Sequence, residues 1–550
     1  LIPLTAVASG LVVGACVLPL RPGRLAPLLD WRPLALLGLA SYSLYVWHVP
    51  IITEIQAHAP HGTLGLLLVV LPLALAAAAV SYRIVEQPPL RYRRRWTVPR
   101  EAPGVPVAAP ADADPGLGPR GFGWLLGAAG AVRLALIVGT PHLPIRNDAA
   151  DYNRLGRLLA AGHGFGTSAL AAAGGPTTFR APLYPWFLAA VYRLTGDSVT
   201  AARCVEAALG VVTVGLVALI ADLVWGRRVA WVAAAIAAVL PSLVISSTSV
   251  LSESLYMPLE AAAVAAALLA MRTGPRRWWW AALSGLCAGL GILDRPAGFV
   301  LVPALAVIVV AGWTHDRREL GRRLGTAAVL IVTAVAVLVP WVARDEGTFH
   351  ALVPVTDIDG FNLAGVYNPV VAGEPYPVAY QWQPPASSPL FADRSLNEVQ
   401  LGDALRRQAL RWMQDHPTSV VAASFWNTWR MAELTGIGGS TFALDDSGYG
   451  RHMAWLEMLS FWLLAVLAAG GLLTRRARTA PWGLWLAPVA LWAITAPVLG
   501  GSRLRAPIDL FLVLAAAVAV DALARPRPPV PPPSEPKPAV EARLPADSVV

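Results

Sequence analysis

The stretch Pro141-His142-Leu143-Pro144-Ile145-Arg146-Asn147-Asp148-Ala149-Ala150-Asp151-Tyr152 follows directly on a long apolar run at 122–140. Its two carboxylates fall where hydrocarbon gives way to water. A bare carboxylate in lipid is costly, so acids at such a boundary stay solvated, paired or metal-bound. The reading of this boundary as a membrane edge rests on the rest of the chain. Of 550 residues, 56% are hydrophobic and 14% charged, and the mean hydropathy is +0.55. A soluble chain carries closer to a quarter charged residues. Several apolar runs reach the roughly 20 residues needed to cross a bilayer.

Working outward, the sequence predicts an all-α polytopic membrane protein. Apolar runs at 4–20, 34–55 and 64–84 form a first group, assigned to 1–95, which ends in Arg91-Tyr92-Arg93-Arg94-Arg95. Residues 96–121, rich in Pro, Ala, Gly and Asp, read as a cytoplasmic linker. A second group occupies 122–524, with spans expected at 122–140, 199–224, 229–250, 254–271, 278–293, 297–313, 324–343, 455–473, 482–499 and 506–523. Its even-numbered returns carry Arg227-Arg228, Arg272 to Arg277, His315 to Arg323 and Arg475 to Arg478. Basic returns belong in the cytoplasm. The short exits at 246–253 and 293–297 hold only Arg295 among basic residues. The loop 141–198, an insert at 344–451 and the short Gly500 to Pro507 segment then lie outside. The tail at 525–550 reads as disordered and cytoplasmic.

The net charge of +9 comes from arginines beside apolar runs, where it sets orientation and does not point to nucleic acid. Cys16, Cys204 and Cys287 show no disulfide or metal spacing. Trp278-Trp279-Trp280 reads as an interfacial anchor. The chain opens at Leu1 inside an apolar run, which suggests a truncated reading frame.

The first outer loop concentrates the candidate chemistry. Asp148 and Asp151, three apart, share a face on a helix and could hold a cation or divide base and positioning roles. A solvated loop acid or a helix cap is the bland alternative for Asp148. Tyr152 and Arg154 follow, then the turn Gly162-His163-Gly164-Phe165-Gly166. The stretch from Thr178 to Tyr192 begins polar and becomes amphipathic, as an interfacial helix with its apolar face in lipid would.

These residues carry a resemblance. Asn147-Asp148-Ala149-Ala150-Asp151-Tyr152, the Gly-His-Gly-Phe turn and Arg180-Ala181-Pro182-Leu183-Tyr184-Pro185 resemble the first-loop signature of GT-C membrane glycosyltransferases, in the protein-mannosyltransferase and aminoarabinose-transferase-like group. Ser252-Glu253, Asp294-Arg295-Pro296, Pro340-Trp341-Val342-Ala343-Arg344, Gly360-Phe361-Asn362-Leu363, Tyr367-Asn368-Pro369 and Ser502-Arg503-Leu504-Arg505-Ala506-Pro507 extend it in order. Asp294 departs from the Thr or Ser of relatives.

The resemblance implies a GT-C helix bundle with external loops and a small external insert. It would move a sugar from a polyprenyl-phosphate donor to an extracytoplasmic protein, lipid or glycan acceptor, with inversion. The implied setting is a bacterial inner membrane. Asp148 is the expected base, with Asp151 and Glu253 as further catalytic candidates. Tyr152, Arg180, Tyr184, Arg295, Arg344, Arg503 and Arg505 are the expected substrate-binding residues, the last four offering donors to the leaving phosphate. Interfacial snorkelling is the alternative for the arginines, weakest for Arg344. A divalent cation is a possible cofactor with no ligand spacing to place it.

The first group has its own resemblance. Gly38-Leu39-Ala40-Ser41-Tyr42-Ser43-Leu44-Tyr45-Val46-Trp47-His48-Val49-Pro50 and Ser81-Tyr82-Arg83-Ile84-Val85-Glu86-Gln87-Pro88 are similar to the last three or so helices of bacterial membrane O-acyltransferases acting on cell-surface glycans. The family's early catalytic His and Arg motifs do not appear here, and His48 is not that His. Acyl transfer to cell-surface polysaccharide is the alternative function, inactive in this stretch. A transporter is a weaker rival, since transporters keep acids near the midplane.

Overall fold

The computed structural model describes residues 119–272, 274–310, 317–375, 378–385, 388–436 and 447–524. The acyltransferase-like segment 1–95, nearly all of the linker and the tail 525–550 lie outside the described residues. What is described is helical, with no strand among the described residues.

The chain runs α1 (Pro119–Gly139), α2 (Asn147–Ala160), α3 (Leu183–Thr195), α4 (Val199–Trp225), α5 (Arg227–Val239), α6 (Pro241–Ser246), α7 (Glu253–Ala270) and α8 (Arg277–Asp294). After a 3-10 turn at Pro296–Val300 come α9 (Leu301–Val310), α10 (Arg317–Phe349), α11 (Ile358–Val366), α12 (Glu398–Asp415), α13 (Thr418–Met431), α14 (Arg451–Leu472), α15 (Trp482–Thr495) and α16 (Ser502–Ala524). Among the described residues six helices are long and apolar enough to cross a membrane: α1, α4, α7, α10, α14 and α16.

Three expected spans come out differently. The run 229–250 is two helices, because Pro241 supplies no N–H and pushes Leu240 out of helical geometry (ψ 119°). The run 297–313 begins as a 3-10 turn, and 311–316 lie outside the described residues. The run 324–343 extends into a helix of 33 residues that passes through Pro340. The stretch 178–192 does form a helix from Leu183. It buries Tyr184, Leu188, Val191 and Tyr192 in the protein, leaving Trp186 and Leu194 exposed.

The bundle core is built mainly from Ala, Leu and Val, with α4, α5, α7 and α16 as its main contributors. Small residues let backbones approach closely, which is how helices associate in lipid. Gly285 and Gly289, one turn apart, face α10. A Cβ at Gly285 would collide with the Leu330 carbonyl oxygen, and one at Gly289 would lie 2.7 Å from that of Ala334. Gly285→Val is therefore expected to lower the thermal midpoint and the folded yield in detergent, at a cost of about 1–3 kcal/mol or more. Gly215→Val, where a Cβ meets nothing within 4 Å, is the control that should behave as wild type.

One end of the bundle receives the C-terminal ends of α1, α8 and α10 and the N-terminal ends of α4, α7 and α16. That end carries the loop 141–198 and the insert. The opposite end holds Arg227, Arg228, Arg277, Arg322, Arg323, Arg475 and Arg476, with Trp278 and Trp279 exposed beside them.

Glu398, at the start of α12 and 3% exposed, fastens the insert to the first loop. Its carboxylate accepts from Ser168 Oγ, from Thr177 Oγ1 at 2.9 Å and from the Thr178 amide at 2.6 Å. Thr178 Oγ1 donates to Asp345 at 2.7 Å.

Candidate active site

Asp148 and Asp151 occupy the first turn and a half of α2. Asn147 enters this helix with φ 46°, the left-handed region that asparagine tolerates better than most residues. Three residues apart on a helix, the two carboxylates point the same way, and both reach one guanidinium. Arg180 donates from Nη2 to Asp148 Oδ1 (2.5 Å) and from Nε to Asp151 Oδ2 (2.8 Å). The other Asp148 oxygen, Oδ2, accepts from Arg503 Nη1 at 2.7 Å.

The chain of charges continues on both sides. Arg503 Nε, from the first turn of α16, donates to Glu253 Oε1 at 2.6 Å. Glu253, the first residue of α7 and fully buried, also pairs with Arg295 at the end of α8. Asp151 pairs outward with Arg154 at 2.9 Å. The order in space is Arg154, Asp151, Arg180, Asp148, Arg503, Glu253, Arg295. Signs alternate throughout, and residues 355 positions apart in sequence become neighbours.

The environment fixes these groups. The Arg180 guanidinium lies 5.0 Å from the Tyr152 ring centroid and 4.9 Å from that of Phe179. Tyr152 packs edge-on to Tyr184 at 4.9 Å and donates to Ser252 Oγ at 3.4 Å. The Arg180 and Arg503 side chains are each 9% exposed, whereas that of Asp148 is 33% exposed. Asp148 is thus the central member of the chain and also faces solvent. Burial raises its carboxyl pKa, but the Arg180 and Arg503 guanidiniums outweigh this and hold it well below the usual carboxylate range.

Three expected binding residues lie elsewhere. Tyr184 is fully buried and donates to Glu206 on α4, so it supports the site from beneath. Arg344 stacks 4.9 Å from the Trp341 centroid, pairs with Asp345 at 2.5 Å and donates to the Thr177 and Phe165 carbonyls. It braces the first loop. Arg505 is buried among Asp509, Glu433 and Glu457, over the Phe461 ring at 3.6 Å. Arg503 and Arg505, two apart on one helix, project to opposite sides.

Sequence reasoning passed over Arg203 and Glu206 in α4. Arg203, 1% exposed, holds the loop end together through Thr140, the Thr248 carbonyl and Tyr449. Glu206 accepts from the Val250 amide at 3.0 Å. The signal was present as two ionisable residues inside an otherwise apolar run, which are functional or structural by default. Among the described residues, no group of three or more His, Cys, Asp or Glu is placed to hold a metal ion. The Asp148 and Asp151 oxygens each accept from an arginine, so the donor set here does not suit a divalent cation.

Comparison with known proteins falls in line with the two resemblances. Residues 179–343 match the family described as dolichyl-phosphate-mannose-protein mannosyltransferase. The O-acetyltransferase OatA of Staphylococcus aureus is 37% identical over 65 residues, 12% of this chain and 11% of that protein. Archaeal oligosaccharyltransferase AglB from Archaeoglobus fulgidus, in complex with an inhibitory peptide and a dolichol-phosphate, aligns over 73% of this chain and 50% of its own, at 16% identity and TM-score 0.44. ArnT from Cupriavidus metallidurans bound to undecaprenyl phosphate aligns over 73% and 77%, at 17% identity and TM-score 0.36. The chain therefore spans about half the length of the archaeal enzyme and about a tenth of the acetyltransferase. It is a multi-pass helical membrane protein with a mannosyltransferase-like region. That region contains Arg180, Glu253 and Arg295, while Asp148 and Arg503 flank it.

Proposed function

We propose that this protein is a membrane glycosyltransferase that moves a sugar from a polyprenyl-phosphate donor to an extracytoplasmic acceptor, with its site on the outer face of a bacterial inner membrane. The observation that carries the reading is Asp148 between Arg180 and Arg503 at the loop end of the bundle. A carboxylate suited to accept a proton stands beside two guanidiniums suited to bind phosphate.

In the proposed step the acceptor oxygen attacks the anomeric carbon opposite the phosphate. The carbon–oxygen bond to phosphate breaks, its electron pair stays with the phosphate, and the acceptor proton passes to Asp148. The anomeric centre inverts. Arg180 and Arg503 stabilise the charge growing on the phosphate. Arg295 adds a third cation through Glu253. Asp151 and Glu253, proposed from the sequence as catalytic, serve here by holding the arginines in place.

Membranes containing the protein, given radiolabelled polyprenyl-phosphate sugars, are expected to pass label to an external acceptor. No transfer from any donor would overturn the reading. Because both site aspartates are taken by arginines, a divalent-ion chelator is expected to leave the rate within about twofold. A chelator-sensitive rate restored by one metal would instead place a cation at Asp148.

The OatA match favours a second reading, in which the segment at 1–95 belongs to an O-acyltransferase of surface polysaccharide but, without that family's early His and Arg motifs, transfers no acyl group by itself. Acetyl transfer by this chain, unaffected when Asp148 is replaced, would overturn the expectation that the segment is inactive.

A further inference from the structure

We propose that Asp148 is an internal competitor for the donor's phosphate. In the resting protein its carboxylate occupies the two arginines that the phosphate needs, and an arriving phosphate displaces it, freeing it to act as base. This rests on the glycosyltransferase reading above and adds an order of events to it.

Four observations lead there. First, each Asp148 oxygen carries a different arginine, Arg180 at 2.5 Å and Arg503 at 2.7 Å. A phosphate oxygen pair can replace a carboxylate oxygen pair with the same hydrogen-bond geometry. Second, both arginines are anchored independently, Arg180 by Asp151 and Arg503 by Glu253. They keep their positions when Asp148 lets go. Third, the buried arginines of the ion-paired row are matched one for one by carboxylates, with the buried Asp294 beside Arg295 in addition. Arg180, Arg503 and Arg295 face Asp148, Asp151 and Glu253, and only the half-exposed Arg154 is left over. A phosphate entering this array without displacing a carboxylate would bring uncompensated negative charge, which is costly at a part-buried site. Fourth, Asp148 is the carboxylate best able to leave. Its side chain is 33% exposed, against 20% for Asp151 and none for Glu253.

The exchange also resolves a chemical conflict. A carboxylate held by two guanidiniums is a weak base, because its charge is already spent on them. Released, it returns toward the ordinary aspartate range of about 3.9 and gains proton affinity when the acceptor needs it. Without donor the base stays masked.

The test is binding of a short-chain polyprenyl phosphate to the full-length protein in detergent at low salt and neutral pH. Removing the competitor should tighten binding, so Asp148→Asn is expected to bind about five- to tenfold more tightly than wild type although its transfer rate falls about a hundredfold or more. Arg503→Gln should bind more weakly than wild type. Inorganic phosphate, as a second probe, should give the same order at lower affinity, since the headgroup charge does the displacing. Asp148→Ser stands in if the asparagine variant folds poorly. Equal or weaker binding by the Asp148 variants overturns the competition and leaves the glycosyltransferase reading in place. If neither wild type nor variants bind the lipid phosphate, both fall together.

Discussion

Asp148→Asn is expected to lower kcat for sugar transfer by about 10² to 10⁴-fold, the range that a positioned general base contributes. The substitution keeps the side-chain shape but only one acceptor oxygen, so one of Arg180 and Arg503 loses its partner there; each is still held by Asp151 or Glu253, and the helix start and the loop should survive. What disappears is the ability to accept the acceptor's proton. Asp151→Asn and Glu253→Gln make the informative contrast. Each leaves Asp148 in place but removes the anchor behind one arginine, Arg180 in the first case and Arg503 with Arg295 in the second. Their loss should appear mainly as a raised KM for the donor, with kcat reduced less than in Asp148→Asn. Steady-state rates at saturating and limiting donor separate the two patterns. Retention of kcat within about threefold in Asp148→Asn, at equal amounts of folded protein, would remove it as the base. The same loss of kcat in all three variants would mean that the array works as one unit and that no single base can be assigned.

Much of this arrangement was legible in the sequence, and the part that was not has one physical cause. Hydropathy and arginine placement report depth: which residues lie at a helix end, and at which end of the bundle. Asp148, Glu253, Arg295 and Arg503 were all legible as sharing one end, and the structure brings them together there. Sequence alone does not report which way around the bundle each side chain points. Arg344 and Arg505 share that depth but turn away from Asp148, one onto Phe165 of the first loop and Trp341 of α10 and the other into a buried acid cluster. For Arg505 the helix period already contained the answer, since it stands two residues from Arg503. Tyr184 is placed differently again. Its aromatic ring and hydroxyl suit a binding surface, but a carboxylate within reach on α4 draws the hydroxyl inward. The break at Pro241 was equally readable, because proline inside an apolar run lacks the N–H that a continuous span requires.

The second large effect is expected far from the reacting atoms, at Glu398. Glu398→Ala should destabilise the attachment of the insert by about 2–5 kcal/mol, because donors on Ser168, Thr177 and Thr178 are left buried without an acceptor. Those donors belong to the strand of loop that ends in Arg180, two residues after Thr178. Loosening them should let Arg180 drift from Asp148 and Asp151, and a misplacement of about 1 Å can cost a hundredfold in rate. Transfer is therefore expected to fall at least tenfold although Glu398 touches no substrate, and the first loop should become cleavable by protease at lower temperature than in wild type. Ser168→Ala removes one donor to Glu398 and the acceptor of the Leu170 and Ala171 amides (3.1 Å each), and should be milder than Glu398→Ala because Thr177 and Thr178 keep their carboxylate. Glu398→Gln should fall between, because an amide nitrogen would face donors where a carboxylate oxygen accepted. Proteolysis of the loop and transfer rate, followed across these three variants, should change in the same order. Protease resistance unchanged in Glu398→Ala would show that the insert is held by its apolar contacts alone, and the rate would then have no reason to fall.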